Sequence, residues 1–327
     1  MPSAKIIGTG AYLPSRVLTN ADLEKMVDTS DEWILTRTGI SERHICAEEE
    51  ATSDLAARAG HDALTAAGVD PLDVDMILVA TATPDFFFPS TACLVQERIG
   101  ARRAAAMDLS AACSGFIYGL AMADGLIRAG TARVVLLIGA ETLSHIVNWQ
   151  DRNTCILFGD GAGAVVLRAD EGSRGILSTH LFADGGKSST LMMPGGGSRH
   201  PISQSLLDSG LYKLQMANGN EVFKLAVRAM EDAAIIALKQ NRLEVGDLDL
   251  LITHQANLRI INALGQRLGI PSEKVCVTIR EHGNTSAASI PLALHQAGAV
   301  GRLQPNHLVL LCAFGGGLTW GSAVLRW

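Results

Sequence analysis

The chain reads as an α/β protein with buried strands, built from two related halves. Three observations predict this. Apolar, β-branched runs of strand length recur between turn residues. Alanine-rich segments with helical spacing lie between them, as a sheet covered by helices requires. Four stretches of sequence then return, each about 160 to 176 positions later.

Strands are expected at residues 74–80, 134–139, 162–167, 248–253, 274–279 and 308–314, each an apolar run bounded by turn residues. Helices are expected at 53–67, 91–99, 114–130, 219–241, 258–268 and 286–297, several stopped by Gly or followed by Pro. The duplication pairs DVDMILVATATPD with DLDLLITHQAN, SAACSGF with TSAASIP, VVLLIGAE with LVLLCAFGGG, and AGAVVLR with GSAVLR. The segment 171–219, rich in Gly, Ser, Met and Pro, has no clean period and is expected to join the halves as irregular structure. Such loops often shape an active site. The chain thus divides into an N-terminal half, residues 1–172, and a C-terminal half, residues 173–327.

Composition excludes several classes. With 327 residues, 48% hydrophobic, 18% charged and 5% aromatic, the chain can bury a sizeable core and is neither disordered nor fibrous. Six cysteines occur without a CxxC pair or a Cys/His cluster at ligand spacing, so neither disulfides nor a metal site is expected, and the compartment reads as reducing. MPSAKIIGTGAYLP lacks the pattern of a signal peptide, and no apolar run approaches the roughly 20 residues of a membrane span. A cytoplasmic protein, without membrane partners, is the expectation. A net charge of −6 argues against a nucleic-acid surface but leaves room for a local basic patch.

In DLSAACSGF, Cys113 follows an apolar run and precedes an Ala/Leu-rich helix, which puts its sulfur at a helix N-terminus. The helix dipole there lowers a thiol pKa and favours the nucleophilic thiolate. A cysteine on its own reads equally as a small buried hydrophobe, and the other five fit that reading. His254 leaves the strand at 248–253, and Asn284 stands before a small-residue helix start. Singly they read as a hydrogen-bonded core histidine and a turn or cap residue. In a duplicated α/β unit, however, such strand ends converge across the pseudo-twofold.

DEWILTRTGI, AACSGF, FGDGAGAVVL, GNEVFKLAV, HQANLRII, HGNTSAAS and AFGGGLTWGSA together resemble beta-ketoacyl-acyl carrier protein synthase III, in that family's order, from Lys5 to Trp327. The resemblance implies the thiolase fold, a duplicated five-layered αβαβα arrangement with two mixed sheets. It implies an initiating condensing enzyme of type II fatty acid synthesis. Such an acyltransferase joins an acyl-CoA primer, acetyl-CoA foremost, to malonyl-acyl carrier protein, giving 3-oxoacyl-acyl carrier protein, carbon dioxide and CoA. No cofactor is implied, since acyl-CoA is a substrate.

By that resemblance Cys113 is the nucleophile that stores the acyl group, and His254 with Asn284 donates to the oxyanion of the decarboxylating malonyl thioester. A second oxyanion meets the N–H groups of Cys113 and Gly316. The resemblance assigns CoA contacts to Thr29, Trp33, Arg37, Arg152, Gly219, Phe223, Ala256, Asn257 and Phe314. Lys224, Arg259 and Arg267 match a basic rim for the acidic acyl carrier protein. DFFFPS holds three of the eight phenylalanines, more apolar area than a surface loop should show, which suits a homodimer interface. The family's residue matching Phe88 reaches the partner's acyl pocket. His282 is expected to give structural support only.

A degradative thiolase would need a second reactive cysteine where Ala313 and Phe314 stand, and Cys312 reads as core. A polyketide or secondary-metabolite condensing enzyme with the same Cys-His-Asn set is the alternative. GTGAYL and GDGAGA match neither phosphate-binding fingerprint, and their glycines are expected in tight turns. A non-catalytic partner-binding protein would leave the three site residues unexplained.

Overall fold

The computed structural model describes residues 3–172 and 174–327. The expected junction of the halves falls on Ser173, outside the described residues. The first half runs β1 (Ser3–Tyr12), β2 (Arg16–Thr19), α1 (Asn20–Leu23), α2 (Asp31–Thr38), β3 (Glu42–Ile45), α3 (Thr52–Ala67), β4 (Met76–Ala80) and α4 (Thr91–Ile99). It continues through β5 (Ala105–Leu109), α5 (Gly115–Arg128), β6 (Val134–Glu141), α6 (Arg152–Cys155) and β7 (Gly161–Asp170). After it come β8 (Gly175–Ala183), the short β9 (Leu191–Met192), α7 (Gln204–Ser209) and the short β10 (Gln215–Met216). The chain ends through α8 (Gly219–Asn241), β11 (Leu250–Thr253), α9 (Leu258–Leu268), α10 (Ile279–His282), α11 (Ser289–Ala299), β12 (Leu308–Gly315) and β13 (Thr319–Arg326).

One sheet has the order β1-β7-β6-β4-β5 and the other β11-β12-β13-β8. Both are mixed: β6, β4 and β5 run parallel, as do β11 and β12, while β1, β7, β8 and β13 make antiparallel pairs. The sequence repeats now have a spatial meaning. β4, β6 and β7 of the first sheet correspond to β11, β12 and β13 of the second, in the same order. β6 and β12 are buried along their whole length, which explains their unbroken apolar runs.

The α3 and α4 helices cover the outer face of the first sheet, α8 and α9 that of the second, and α5 and α11 lie between the sheets. This is the five-layered αβαβα arrangement of the thiolase fold. The middle layer holds an apolar core drawn from both halves, including Phe116, Leu120, Leu137, Ile252, Leu294 and Leu311. Helix ends carry their own signals: Ser90 caps α4 and Asn257 caps α9, while Gly100 and Gly269 end them in left-handed conformation.

The structure corrects three expectations. Residues 274–279 form a single bridge, Leu251 to Val275, where β5 stands in the other half. Gln255 takes the backbone groups that a ladder would use: its Oε1 accepts from Thr278 and Ile279 N–H, and its Nε2 donates to the Cys276 carbonyl. The segment 171–219 is not irregular throughout, because it contains β8, an edge strand paired along β13 with Phe182 stacked on Trp320. Polar Ser178, Thr179 and His180 interrupt its apolar run, as an edge tolerates. Gly8 and Gly10 of GTGAYL lie in β1 and Gly161 and Gly163 of GDGAGA lie in β7, not in turns, while Gly159 stands in the loop before β7. A Cβ on Gly8 would stand 2.5 Å from the Ala63 carbonyl of α3, and one on Gly163 would stand 2.6 Å from Leu292 N of α11. They let helices approach strands.

Candidate active site

Each middle-layer helix is entered through a strained turn. Before α5, Ala112 has φ 44° and opens the 3₁₀ turn Ala112–Ser114 that carries Cys113. Before α11, Ser286 has φ 47° and opens the matching turn Ser286–Ala288. A left-handed non-glycine residue costs about 1 kcal/mol, so the surrounding contacts must impose it. They are visible at Cys113. The Ser114 hydroxyl donates to the Thr319 carbonyl at 2.8 Å, and Thr319 Oγ1 donates to the Ala111 carbonyl at 2.9 Å. Gly315 closes the other side, where a Cβ would come within 2.7 Å of Cys113 N. The turns are exchanged between halves: Cys113's packs on β12, and Ser286's packs on β6.

Asn284 is held by the loop of the first half. Its N–H donates to the Leu157 carbonyl at 2.8 Å, and its carbonyl accepts from Gly159 N–H at 3.1 Å. Its side-chain Oδ1 accepts from Ser286 N–H at 2.9 Å, which leaves the Nδ2 amide as the free donor.

His254 follows β11, and its N–H donates to the Cys312 carbonyl at 2.7 Å. Its Nδ1 lies 2.7 Å from Ser289 Oγ, which already accepts from Gln255 N–H. The Ser289 proton is therefore available to Nδ1, and the ring carries its own hydrogen on Nε2. Burial pushes the imidazole down to about 3, so it is neutral at physiological pH.

A cavity of about 460 Å³ has Cys113, His254 and Asn284 in its lining, with Phe314, Gly315, Phe223, Ala256 and Asn257 along its walls. Trp33 and Arg37 of α2 also line it. The Arg37 guanidinium lies 4.7 Å from the Trp33 ring centroid and that of Arg152 lies 5.0 Å away. Two cations on one half-buried indole form a surface suited to a flat, anionic group. Among the described residues, no group of three or more His, Cys, Asp or Glu side chains could hold a metal ion.

The comparisons with known proteins agree with this geometry. Family models for 3-oxoacyl-[acyl-carrier-protein] synthase III match residues 107–185, and those for its C-terminal part match residues 238–327. The chain is 54% identical over 327 residues to the beta-ketoacyl-[acyl-carrier-protein] synthase III of Desulfitobacterium hafniense, covering all of this chain and 98% of the relative. The chain belongs to the beta-ketoacyl-acyl carrier protein synthase III family. The crystal structure of 3-oxoacyl-[acyl-carrier-protein] synthase III from Aquifex aeolicus superposes with a TM-score of 0.93 at 50% identity, over 99% of this chain and 100% of that one. The priming beta-ketosynthase of the R1128 polyketide pathway is also similar, with a TM-score of 0.92 and 34% identity over 99% of this chain and 96% of that one. Membership makes the chain a condensing acyltransferase of fatty acid synthesis.

At Cys113 the ionisation of the thiol departs from the sequence expectation. Burial pushes its thiol up to about 11, outweighing the opposing contributions of Ser286 and of the Cys113 and Gly316 N–H groups. Desolvation in the closed turn thus exceeds what a helix start returns. Gly219 lies at the cavity, but Thr29, Arg152 and Gly316 are outside its lining. Thr29 Oγ1 is buried without a partner, and Arg152 donates to the Asp28 carbonyl at 2.8 Å. Arg259 lies over the Phe223 ring at 5.5 Å at the mouth, and Lys224 is exposed nearby on α8. Arg267 lies on α9 engaged by Glu231 at 2.5 Å, so its charge is not free. Phe88 is 87% exposed and away from the cavity. His282 also stands away from the cavity, edge-on to His44 with centroids 6.5 Å apart. Sequence reasoning missed Gly315, Ser286 and Ser289, although TSAAS, as the echo of SAACS, was the signal for the last two.

Proposed function

We propose that this chain starts fatty acid synthesis by a decarboxylative condensation through an acyl-Cys113 intermediate. The convergence of Cys113, His254 and Asn284 on one cavity floor carries this reading. Cys113 Sγ attacks the acyl-CoA carbonyl, the carbonyl–sulfur bond to CoA breaks, and the thiol proton leaves on the CoA sulfur. Malonyl-acyl carrier protein then enters. Its C2–carboxylate bond breaks, releasing carbon dioxide, and the electron pair becomes an enolate.

His254 Nε2–H and Asn284 Nδ2–H donate to the enolate oxygen. Neither donor needs to change protonation, which suits electrostatic stabilisation. The enolate carbon attacks the acyl-Cys113 carbonyl, whose oxyanion is received by the Cys113 and Gly316 N–H groups. Collapse frees the Cys113 thiolate and the 3-oxoacyl product. No metal or cofactor enters these steps.

In this reading Trp33, with Arg37 and Arg152, receives the nucleotide end of CoA. Gly219, Phe223, Ala256 and Asn257 flank the path of the pantetheine arm, Phe314 stands near its thiol, and Thr29 is a further CoA contact. Lys224 and Arg259 receive the acidic carrier, with Arg267 farther out. The exposed Phe86, Phe87 and Phe88 cover one another's face in a homodimer. The two halves meet near residue 173, and the protein works in the cytoplasm.

The test is to incubate the protein with acetyl-CoA and longer acyl-CoAs and to look for a mass adduct on the Cys113 peptide. Malonyl-acyl carrier protein should clear the adduct with release of carbon dioxide. A folded protein whose Cys113 takes no acyl group from any acyl-CoA would overturn the initiating role.

A further inference from the structure

Behind Cys113 lies a buried acid that the steps above do not use. Glu141 is the last residue of β6 and has no solvent exposure. Its Oε2 accepts from Thr83 Oγ1 at 2.7 Å, from Ala82 N–H at 3.1 Å and from Thr81 Oγ1 at 3.3 Å. Its Oε1 is buried with no hydrogen-bond partner. The Ser286 side chain and the Ala287 N–H are the other polar groups beside the carboxyl. The same Ser286 side chain stands against Cys113.

One hydroxyl therefore separates the nucleophilic sulfur from a fully enclosed carboxyl group. An anion there would have no cation to balance it, and it would oppose formation of a thiolate at Cys113. A carboxylic acid meets neither difficulty. Oε2 is already occupied as an acceptor by three donors, so the acid's hydrogen belongs on Oε1. The Ser286 hydroxyl is the acceptor beside it, and a hydrogen bond from the acid to Ser286 Oγ would free the Ser286 hydrogen to point at Cys113 Sγ.

We propose that Glu141 is a positioning residue that stays protonated and, through Ser286, turns a hydroxyl donor onto the Cys113 sulfur as its proton departs. During acylation the Cys113–carbon bond forms, the CoA–carbon bond breaks and the Cys113 proton goes to CoA. Glu141 and Ser286 keep their own hydrogens throughout. This inference rests on Cys113 being the acylated nucleophile, and it predicts that a neutral amide can replace the acid while an alkyl group cannot.

The experiment compares Glu141→Gln, Glu141→Leu and Ser286→Ala for acetyl transfer to Cys113 and for the pH profile of Cys113 alkylation by iodoacetamide. Glu141→Gln should keep the acylation rate within about 3-fold and the alkylation profile within a few tenths of a unit. Glu141→Leu and Ser286→Ala should slow acylation by about 30-fold, the size of a lost buried hydrogen bond, and move the alkylation profile upward.

An alkylation profile that moves down by a unit or more in Glu141→Gln would mean that the acid was an anion and would overturn the proposal. So would a Ser286→Ala profile identical to that of the parent. If Glu141→Leu does not fold, the other two variants still decide. Alkylation needs no acyl-CoA. Parent protein that alkylates as expected but never acylates removes the condensing reading and leaves the alkylation test of Glu141 standing.

Discussion

The turn at Cys113 and the turn at Ser286 are the same device used twice. Each begins with a left-handed non-glycine residue, and each starts a helix between the sheets; the first follows β5 and the second follows α10. Ala112 and Ser286 share the sequence offset that separates Val134 of β6 from Leu308 of β12. Their cargo differs. The first turn delivers a sulfur beneath two N–H donors, and the second delivers an amide, a hydroxyl and, through Ser289, the orientation of a histidine. Duplication supplied the frame, and the chemistry lies where the copies diverged.

That division can be broken most sharply at the sulfur. Cys113→Ala should reduce condensation by ~10³-fold or more, because the covalent step has no substitute. It should leave malonyl decarboxylation measurable, since His254 and Asn284 remain. Radiolabelled carbon dioxide release by the variant checks this, and loss of decarboxylation together with condensation would contradict separate roles for the turns.

The opposite break is at the second half. His254→Ala and Asn284→Ala should each slow decarboxylation by ~10²-fold to ~10³-fold, the loss typical of one oxyanion donor. Acylation of Cys113 should continue in both. Mass analysis of the Cys113 peptide, beside the carbon dioxide assay, separates the two half-reactions.

A smaller effect is expected at the mouth. Trp33→Ala should raise KM for acyl-CoA by ~10-fold with little change in kcat, as removal of a stacking platform does. The rates of the malonyl-carrier half-reaction should hardly move, which steady-state kinetics with each substrate varied will show.

Much of this was legible in the sequence because periodicity and repetition are local. Helices at 91–99 and 258–268 carry caps and glycine stops, 219–241 carries the Asn218 cap but ends on a left-handed Arg242, and the paired strands carry unbroken apolar runs. What was not legible depends on partners distant in sequence. β8 is a strand because β13 offers it a ladder, and 274–279 is not one because Gln255 takes its hydrogen bonds. The motif order placed Cys113, His254 and Asn284, yet the sign of the Cys113 shift depends on how completely Gly315, Ser286 and the two turns exclude water. No linear pattern reports that. Arg267 looked like free charge only because Glu231 lies 36 residues away on another helix.

The smallest expected effect compares how the halves hold protons. Burial raises Cys113 and Glu141 in the first half and lowers His254 and His282 in the second. On the acid side, the unfolded chain protonates its histidines near 6.5, while folded His254 resists to about 3 and folded His282 to about 4. The unfolded state thus binds more protons, and stability should fall as pH drops below 6.5, by about 1.4 kcal/mol per pH unit for each histidine. On the alkaline side, unfolded Cys113 ionises near 9.0 and the folded thiol near 11, so its contribution is present below 9.0 and lost as pH rises toward 11. Urea unfolding across pH should show His254→Ala with a shallower acid flank and Cys113→Ala with a shallower alkaline one. If either variant flattened the other's flank, the two turns would share one proton network instead of holding their charges apart.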